Sequence, residues 1–250
     1  MGRLALIVAA WLAATYAHAA DVQVAVAANF ARPLQRIGEL FAAATGHQLK
    51  VSSGATGKFY SQIVAGAPFE VLLAADDDTP ARLVAEGHAV AGTRFTYAIG
   101  RLVLWSARPG VVDAQGAVLA DARIGHVAIA NPKTAPYGAA ALQVLTSRGL
   151  AEALAPRLVT AESIAQAYQF VATGNAQIGF VALSQLRAPG KPAGGSMWLV
   201  PQHLHHELKQ GAVLLAAGRN NPAARELLAF LRAEAAQTII REHGYGLPSP

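Results

Sequence analysis

The chain contains no cysteine, few charged residues and, after its first twenty positions, no long hydrophobic run. Without thiols there can be no disulfide, no thiolate metal site, no cysteine nucleophile and no lipid-bearing N-terminal cysteine. Only 14% of residues are charged against 53% hydrophobic. That balance excludes a disordered polypeptide and leaves stability to an apolar core. Beyond residue 20, no uninterrupted apolar stretch is long enough to cross a membrane as a helix. The net charge of +5 is not gathered into a basic, aromatic-laced stripe, so nucleic acid is excluded as a partner. Spread as it is, it would help draw a small anion toward the protein.

Residues 1–20 carry the marks of an export signal. Arg3 supplies the positive start, residues 4–14 form a short apolar run, and Ala17-His18-Ala19 and His18-Ala19-Ala20 offer small residues for cleavage. The expected location is the periplasm. The rest alternates short apolar runs with helical spacing. Residues 22–27, 48–52 and 71–74 read as strands. Helices follow them, marked by Phe30, Leu34, Ile37 and Phe41, by Phe59 and Ile63, and by Asp78-Thr79-Pro80. Two strand-like runs, 95–99 and 102–105, then interrupt this rhythm. A second series follows, with strands at 127–130 and 178–181 and helices at 138–147 and around Ile164 to Val171. Residues 191–196 form a Pro/Gly loop, 212–216 a last strand, and Leu227 to Ile239 pattern terminal helices. The expectation is an α/β protein of two lobes: 21–98 plus 213–250 as lobe I, and 99–212 as lobe II. The chain would cross near 97–101 and return near 209–213.

Four helix starts share one character. Ala28-Asn29, Thr56-Gly57, Pro136-Tyr137-Gly138 and Ser163-Ile164 are small or polar, and three of the four directly follow a strand. A helix start presents unpaired backbone N–H groups and the positive end of the dipole, so several converging starts make an anion pocket with no fixed cation. Ligands of open α/β sheets sit beyond the carboxyl ends of strands, which would turn loops from both lobes toward one cleft. Asn29 suits either an N-cap or a donor to a ligand. The stretch Ser52-Ser53-Gly54-Ala55-Thr56-Gly57-Lys58 is no nucleotide loop, because Ser52 stands where glycine is required and Phe59 follows the lysine. Lys133-Thr134-Ala135 lacks the companion motifs of a serine β-lactamase. Asp76-Asp77-Asp78 reads as a solvated turn and cap rather than a metal site, and His203, His205 and His206 as a surface loop. No nucleophile–base or carboxylate pair emerges, so no enzyme is expected.

These loops carry a resemblance to a known family. AVAANFARPL, GATGKFYSQIVAGAPFEVLLAAD, RFTYAIGRLVLWS, IANPKTAPYGAAA, NAQIGFVAL and the REHGYG tail resemble the periplasmic molybdate-binding proteins of ABC uptake systems over essentially the whole chain after the signal. The resemblance implies a two-lobed type II periplasmic binding protein fold, each lobe a mixed, mostly parallel sheet flanked by helices. It implies capture of molybdate, and of tungstate, for an inner-membrane permease, by a monomer without cofactor. The molybdenum would enter only inside the oxyanion, with no protein–metal bond. By position it implies ligand contacts from Asn29, Thr56, Tyr137 and Ile164, with Ala28 adjoining and Ile164 acting through its N–H. Many members have Ser where Asn29 stands and a ligand-binding Tyr where this chain has Ala182; Tyr137 is the candidate to supply that phenol. Molybdate at neutral pH is a deprotonated dianion, which suits a site of donors alone. The alternatives are another tetrahedral oxyanion such as sulfate and, from a different class, an exported hydrolase using the same cleft.

Overall fold

The computed structural model describes residues 20–187 and 194–248. The expected export segment, residues 1–20, lies outside these apart from Ala20, as does the first half of the Pro/Gly loop expected at 191–196.

The chain opens with β1 (Asp21–Ala27), a short 3₁₀ turn at Ala28–Phe30, and α1 (Ala31–Thr45). It continues through β2 (Gln48–Gly54), α2 (Thr56–Val64), β3 (Val71–Leu73), α3 (Asp78–Ala85) and β4 (Phe95–Gly100). After a single residue, β5 (Leu102–Ser106) begins in a different sheet, followed by β6 (Val127–Ala130), α4 (Pro136–Ser147) and α5 (Ala151–Leu154). Then come β7 (Leu158–Ala161), α6 (Ile164–Ala172), β8 (Ile178–Ala182), α7 (Leu183–Leu186) and β9 (Ser196–Leu199). The last elements are β10 (Leu208–Leu214), α8 (Pro222–Phe230) and α9 (Glu234–Glu242).

Two five-stranded sheets result, ordered β2-β1-β3-β10-β4 and β7-β6-β8-β5-β9. Each has three parallel strands in the order second, first, third. Beside the third lies a strand arriving from the other lobe, antiparallel to both its neighbours. The same arrangement thus appears twice without a repeat visible in the sequence. The parallel strands need helical crossovers, and these cover the sheets. In the first lobe, Phe30, Leu34, Ile37 and Phe41 pack with Leu227 and Ile239 on one face of the sheet, while Phe59, Ile63 and Leu83 cover the other. The four residues of the first group are fully buried; removing such side chains from water contributes about 1.5–3 kcal/mol each.

The expected strand pattern holds for the parallel strands other than β7. The structure moves the last one: β10 starts at Leu208, and Leu208 already pairs with Gly100 in the first sheet. The return between lobes is therefore complete before 209–213. Lys209 and Gln210 hide this strand from a hydropathy reading, and a β-bulge between Gln210 and Gly211 breaks its alternation. The strands β7 and β9 and the short helices α5 and α7 were not legible in the sequence; each is only four residues long. The C-terminal tail comes back to the crossover, where Ile99 and Gly246 exchange backbone hydrogen bonds of 2.7 and 2.9 Å.

Asn221 ties the terminal helices to the first sheet. It caps α8 by accepting from the Ala223 N–H at 3.0 Å, and its amide donates to Asp21 O and Glu70 Oε1. Replacing it with alanine removes a cap, a part-buried bond to Glu70 and an exposed one to Asp21, an expected loss of about 1–2 kcal/mol. Thermal unfolding of Asn221→Ala is expected to show a midpoint several degrees lower, with ligand affinity unchanged because the site is remote.

Candidate functional site

Between the sheets lies a small, nearly filled cavity of about 10 Å³, lined by Ala27, Ala28, Asn29, Gly54, Ala55, Thr56, Ala75, Ala135, Pro136, Tyr137 and Ile164. All five residues expected at the site line it, two segments from each lobe. No charged side chain is among them. The cavity is closed down in part by backbone contact across the cleft: Gly57 N–H donates to Thr134 O at 2.9 Å. A Cβ on Gly57 would stand 3.0 Å from Thr134 Cα, so glycine is what lets the lobes approach this closely.

The local sequence explains the donors. Asn29 is the second residue of the 3₁₀ turn and Tyr137 the second of α4, while Thr56 and Ile164 are the first residues of α2 and α6. At such positions the backbone N–H has no intrahelical acceptor and points out along the dipole axis. Pro136, one residue ahead of Tyr137, has no N–H to satisfy and presets the first helical turn. Ser163 caps α6 by accepting from Gln166 N–H at 3.3 Å, which holds the Ile164 N–H at the open end of that helix.

The side chains divide in a way the sequence did not reveal. Thr56 is buried, and its Oγ1 accepts from the Ala75 N–H at 3.0 Å; that bond leaves the hydroxyl proton to be donated. Tyr137 is 1% exposed, and its hydroxyl has no hydrogen-bond partner. The hydroxyl is lodged at the floor of the site against the crossover: a Cβ on Gly100 would meet it at 2.3 Å and the Gln210 amide at 2.8 Å. Burial pushes its pKa well above the ordinary tyrosine value, so it is held as a neutral donor. Asn29 differs from expectation. It makes no side-chain cap. Both its amide hydrogens are engaged elsewhere, donated to Gln210 Oε1 at 2.7 Å and to Tyr245 Oη at 2.9 Å. What Asn29 offers the cavity is its backbone N–H. Ala182 lies buried at the end of β8, outside the lining, with its N–H bonded to Gln185.

The remaining candidates fall elsewhere. Glu162, next to the last loop, points its exposed carboxylate across the cleft to pair with Lys58, which holds its pKa below the usual carboxylate range. It therefore puts no acceptor into the cavity. Asp76 forms a turn, accepting from Thr79 N–H and Oγ1, and Asp77 pairs with Arg94. His203, His205 and His206 sit on the loop before β10, where His203 and His206 are exposed as expected but His205 is buried, its ring bonded to His206 O. Among the described residues no group of three or more metal-capable side chains gathers in one place. Gln210, Tyr245 and Ser184, which frame the floor of the site, went unread. A glutamine followed by glycine at the head of an apolar run was the available signal for the first of them.

A family model of bacterial extracellular solute-binding proteins matches residues 22–246. The chain is 57% identical to a molybdate-binding protein ModA of Azotobacter vinelandii over 247 residues, 99% of this chain and 98% of that one. It is 54% identical to the ModA protein of Rhodobacter capsulatus, covering 92% and 89% of the two chains. Among solved structures, the periplasmic molybdate-binding protein of Azotobacter vinelandii superposes with a TM-score of 0.89 at 43% identity, over 91% of this chain and 100% of that one.

Two substitutions separate donor chemistry from closure. Thr56→Ala removes a hydroxyl donor and strands the Ala75 N–H; loss of a bond to a charged group costs about 1.5–3 kcal/mol, or roughly tenfold or more in affinity. Gly57→Val leaves every donor in place and wedges the lobes apart at Thr134. Calorimetric titration with oxyanions is expected to show weaker binding in both.

Proposed function

This chain belongs to the bacterial extracellular solute-binding protein family, and within it to the ModA molybdate-binding proteins; we propose that it captures molybdate, and also tungstate, for an inner-membrane ABC permease. It is a binding protein and not an enzyme, with the oxyanion as cargo and no cofactor. The observation that carries this reading is the composition of the cavity: four helix starts from two lobes, a hydroxyl, a phenol, and no charged or titratable carboxylate side chain.

Molybdate near neutrality is a fully deprotonated tetrahedral dianion. Each of its oxygens accepts hydrogen bonds and none donates. Backbone N–H groups of Asn29, Thr56, Tyr137 and Ile164, with the Thr56 hydroxyl and the Tyr137 phenol, make a matching set of donors. Ala28 adjoins without a polar side chain and sets the width of the pocket. Charge-assisted bonds from neutral donors contribute about 1.5–3 kcal/mol each, so a handful offsets the desolvation of a dianion. Phosphate keeps a proton near neutrality and calls for a carboxylate acceptor; Glu162, the nearest one, is drawn away by Lys58. The unpartnered buried phenol of Tyr137 supports its assignment as the donor that stands in for a tyrosine at Ala182.

Both halves of the site come from one chain, which supports action as a monomer. We divide the lobes at Arg101 and in the loop before Leu208, and assign residues 1–20 to a cleaved export signal leading to the periplasm. Lobe closure around the anion would create the surface the permease reads.

Titration of the mature protein with molybdate, tungstate, sulfate and phosphate tests the reading. Molybdate and tungstate are expected to bind and to raise the melting temperature. At a ligand excess of 100-fold over Kd the linkage is about 2.7 kcal/mol. Equal binding of sulfate would redirect the assignment to a general tetrahedral-oxyanion carrier, and silence with all four would overturn it. The cavity lining contains no group that titrates near neutrality, and burial holds the Tyr137 phenol neutral beyond the ordinary range. Molybdate affinity is therefore expected to be flat from roughly pH 6 to 9. A bell-shaped profile would show that a charged group has been overlooked.

A further inference from the structure

Under the anion cavity, polar side chains from four separate segments meet in one buried cluster. Asn29, Gln210 and Tyr245 come from the first lobe; Ser184, at the start of α7, comes from the second. None is more than 5% exposed. The Asn29 carbonyl accepts from Tyr245 Oη at 2.8 Å and from Ser184 Oγ at 2.8 Å, so both of its lone pairs are used, one by each lobe. Tyr245 Oη also lies 3.0 Å from Ser184 Oγ. The Asn29 amide is gripped by Gln210, whose own amide donates to Ala75 O at 3.2 Å and Leu208 O at 2.9 Å. Gln210 reaches this place because the β-bulge of β10 turns it inward.

We propose that Gln210, Tyr245 and Ser184 are positioning residues for anion capture: the first two clamp Asn29 so that its backbone N–H faces the cavity, and Ser184 makes that clamp continuous across the lobes only when they are closed. This rests on the anion-capture reading above. Asn29 is held at both its side chain and its carbonyl, which fixes its Cα and restrains the swing of the Ala28–Asn29 peptide that would carry the N–H away from the ligand. A donor held before the anion arrives costs no reorganisation on binding.

The cluster also sets the balance between closed and open forms. Closure gains the Ser184 bonds. It also shuts Asn29 Oδ1 and the Tyr137 hydroxyl away from water without partners, and each unpaired buried group opposes closure. The two contributions have opposite signs, so neither form is locked and a ligand that accepts from Tyr137 tips the balance. The clamp reaches other parts of the chain too. Tyr245 stands one residue before Gly246, which is paired with Ile99 in the crossover strand, so the C-terminal tail, both crossovers and the ligand loop meet at one point.

The test uses Tyr245→Phe and Ser184→Ala in the full mature chain, with Gln62→Cys and Gln169→Cys on opposite lobes as labelling sites; both glutamines are exposed, and the chain has no other cysteine. Molybdate is the probe. Each variant is expected to bind it about tenfold more weakly, through faster release at an unchanged association rate. The double variant is expected to be less than additive, because both hydroxyls act on the Asn29 carbonyl. Parental affinity and release in both variants would overturn the proposal, even if their ligand-free melting temperatures fell, because lowered stability alone marks a structural role. Should the parent itself fail to bind molybdate, the anion reading is what fails, and the labelled pair still decides on the clamp. Without ligand, Ser184→Ala must widen the interlobe distance distribution relative to the parent; an identical distribution would overturn the clamp.

Discussion

Everything in this molecule follows from holding a doubly charged solute with neutral dipoles. A helix start offers only one or two free N–H groups and about half an elementary charge. A dianion needs several such starts at once, and they cannot all come from one sheet edge. The fold supplies two by repeating one strand arrangement in two lobes and facing the carboxyl ends of their parallel strands across a cleft. Convergence then demands close approach, and close approach demands small residues: alanines at 27, 28, 55, 75 and 135 line the cavity, and Gly57 touches the opposite lobe through backbone alone.

The same demand governs where charge is allowed. A lysine in the cavity would bind the anion more tightly but would hold any anion. A carboxylate would repel a dianion while welcoming a protonated one. The chain keeps both at the rim. Lys58 and Glu162 satisfy each other across the mouth, and an exposed pair of this kind contributes little to stability. Its effect is to remove the Glu162 charge from the field felt at Ile164 while adding a salt-sensitive contact between the lobes. Another interlobe contact made by a charged side chain, from Arg32 to the Gln185 carbonyl, is exposed and likewise leaves the cavity lining neutral.

Much of this was legible in the sequence, and the boundary of legibility has a physical meaning. The parallel strands β1, β3, β6 and β8 are buried on both faces and read as apolar runs. Three of the four helix starts read as small or polar residues after a strand, so Asn29, Thr56, Tyr137 and Ile164 were expected to face one cleft. What could not be read were contacts distant in sequence. Asn29 shows its chemistry as an amide but spends that amide on Gln210 and Tyr245, 181 and 216 residues away. Residue type reveals which groups can donate; only the fold reveals which donors are already committed. The start of β10 was hidden for a related reason. Its Gln210 looks like a surface residue and is the most deeply buried polar side chain of the crossover.

A transport protein must also let go, and the neutral design bears on release. Each donor in the cavity is individually modest, so affinity rests on completing the set, and the set is complete only when the lobes are closed. Opening by a small angle about the crossovers removes Tyr137 and Ile164 from Asn29 and Thr56 together, and several bonds are lost for one motion. A site with a fixed cation would keep most of its attraction after such a motion, because Coulomb energy falls slowly with distance. Hydrogen bonds fall steeply. Splitting neutral donors between two lobes therefore couples tight capture to release by the same hinge, and a partner that pries the lobes apart need supply no counter-ion to free the anion.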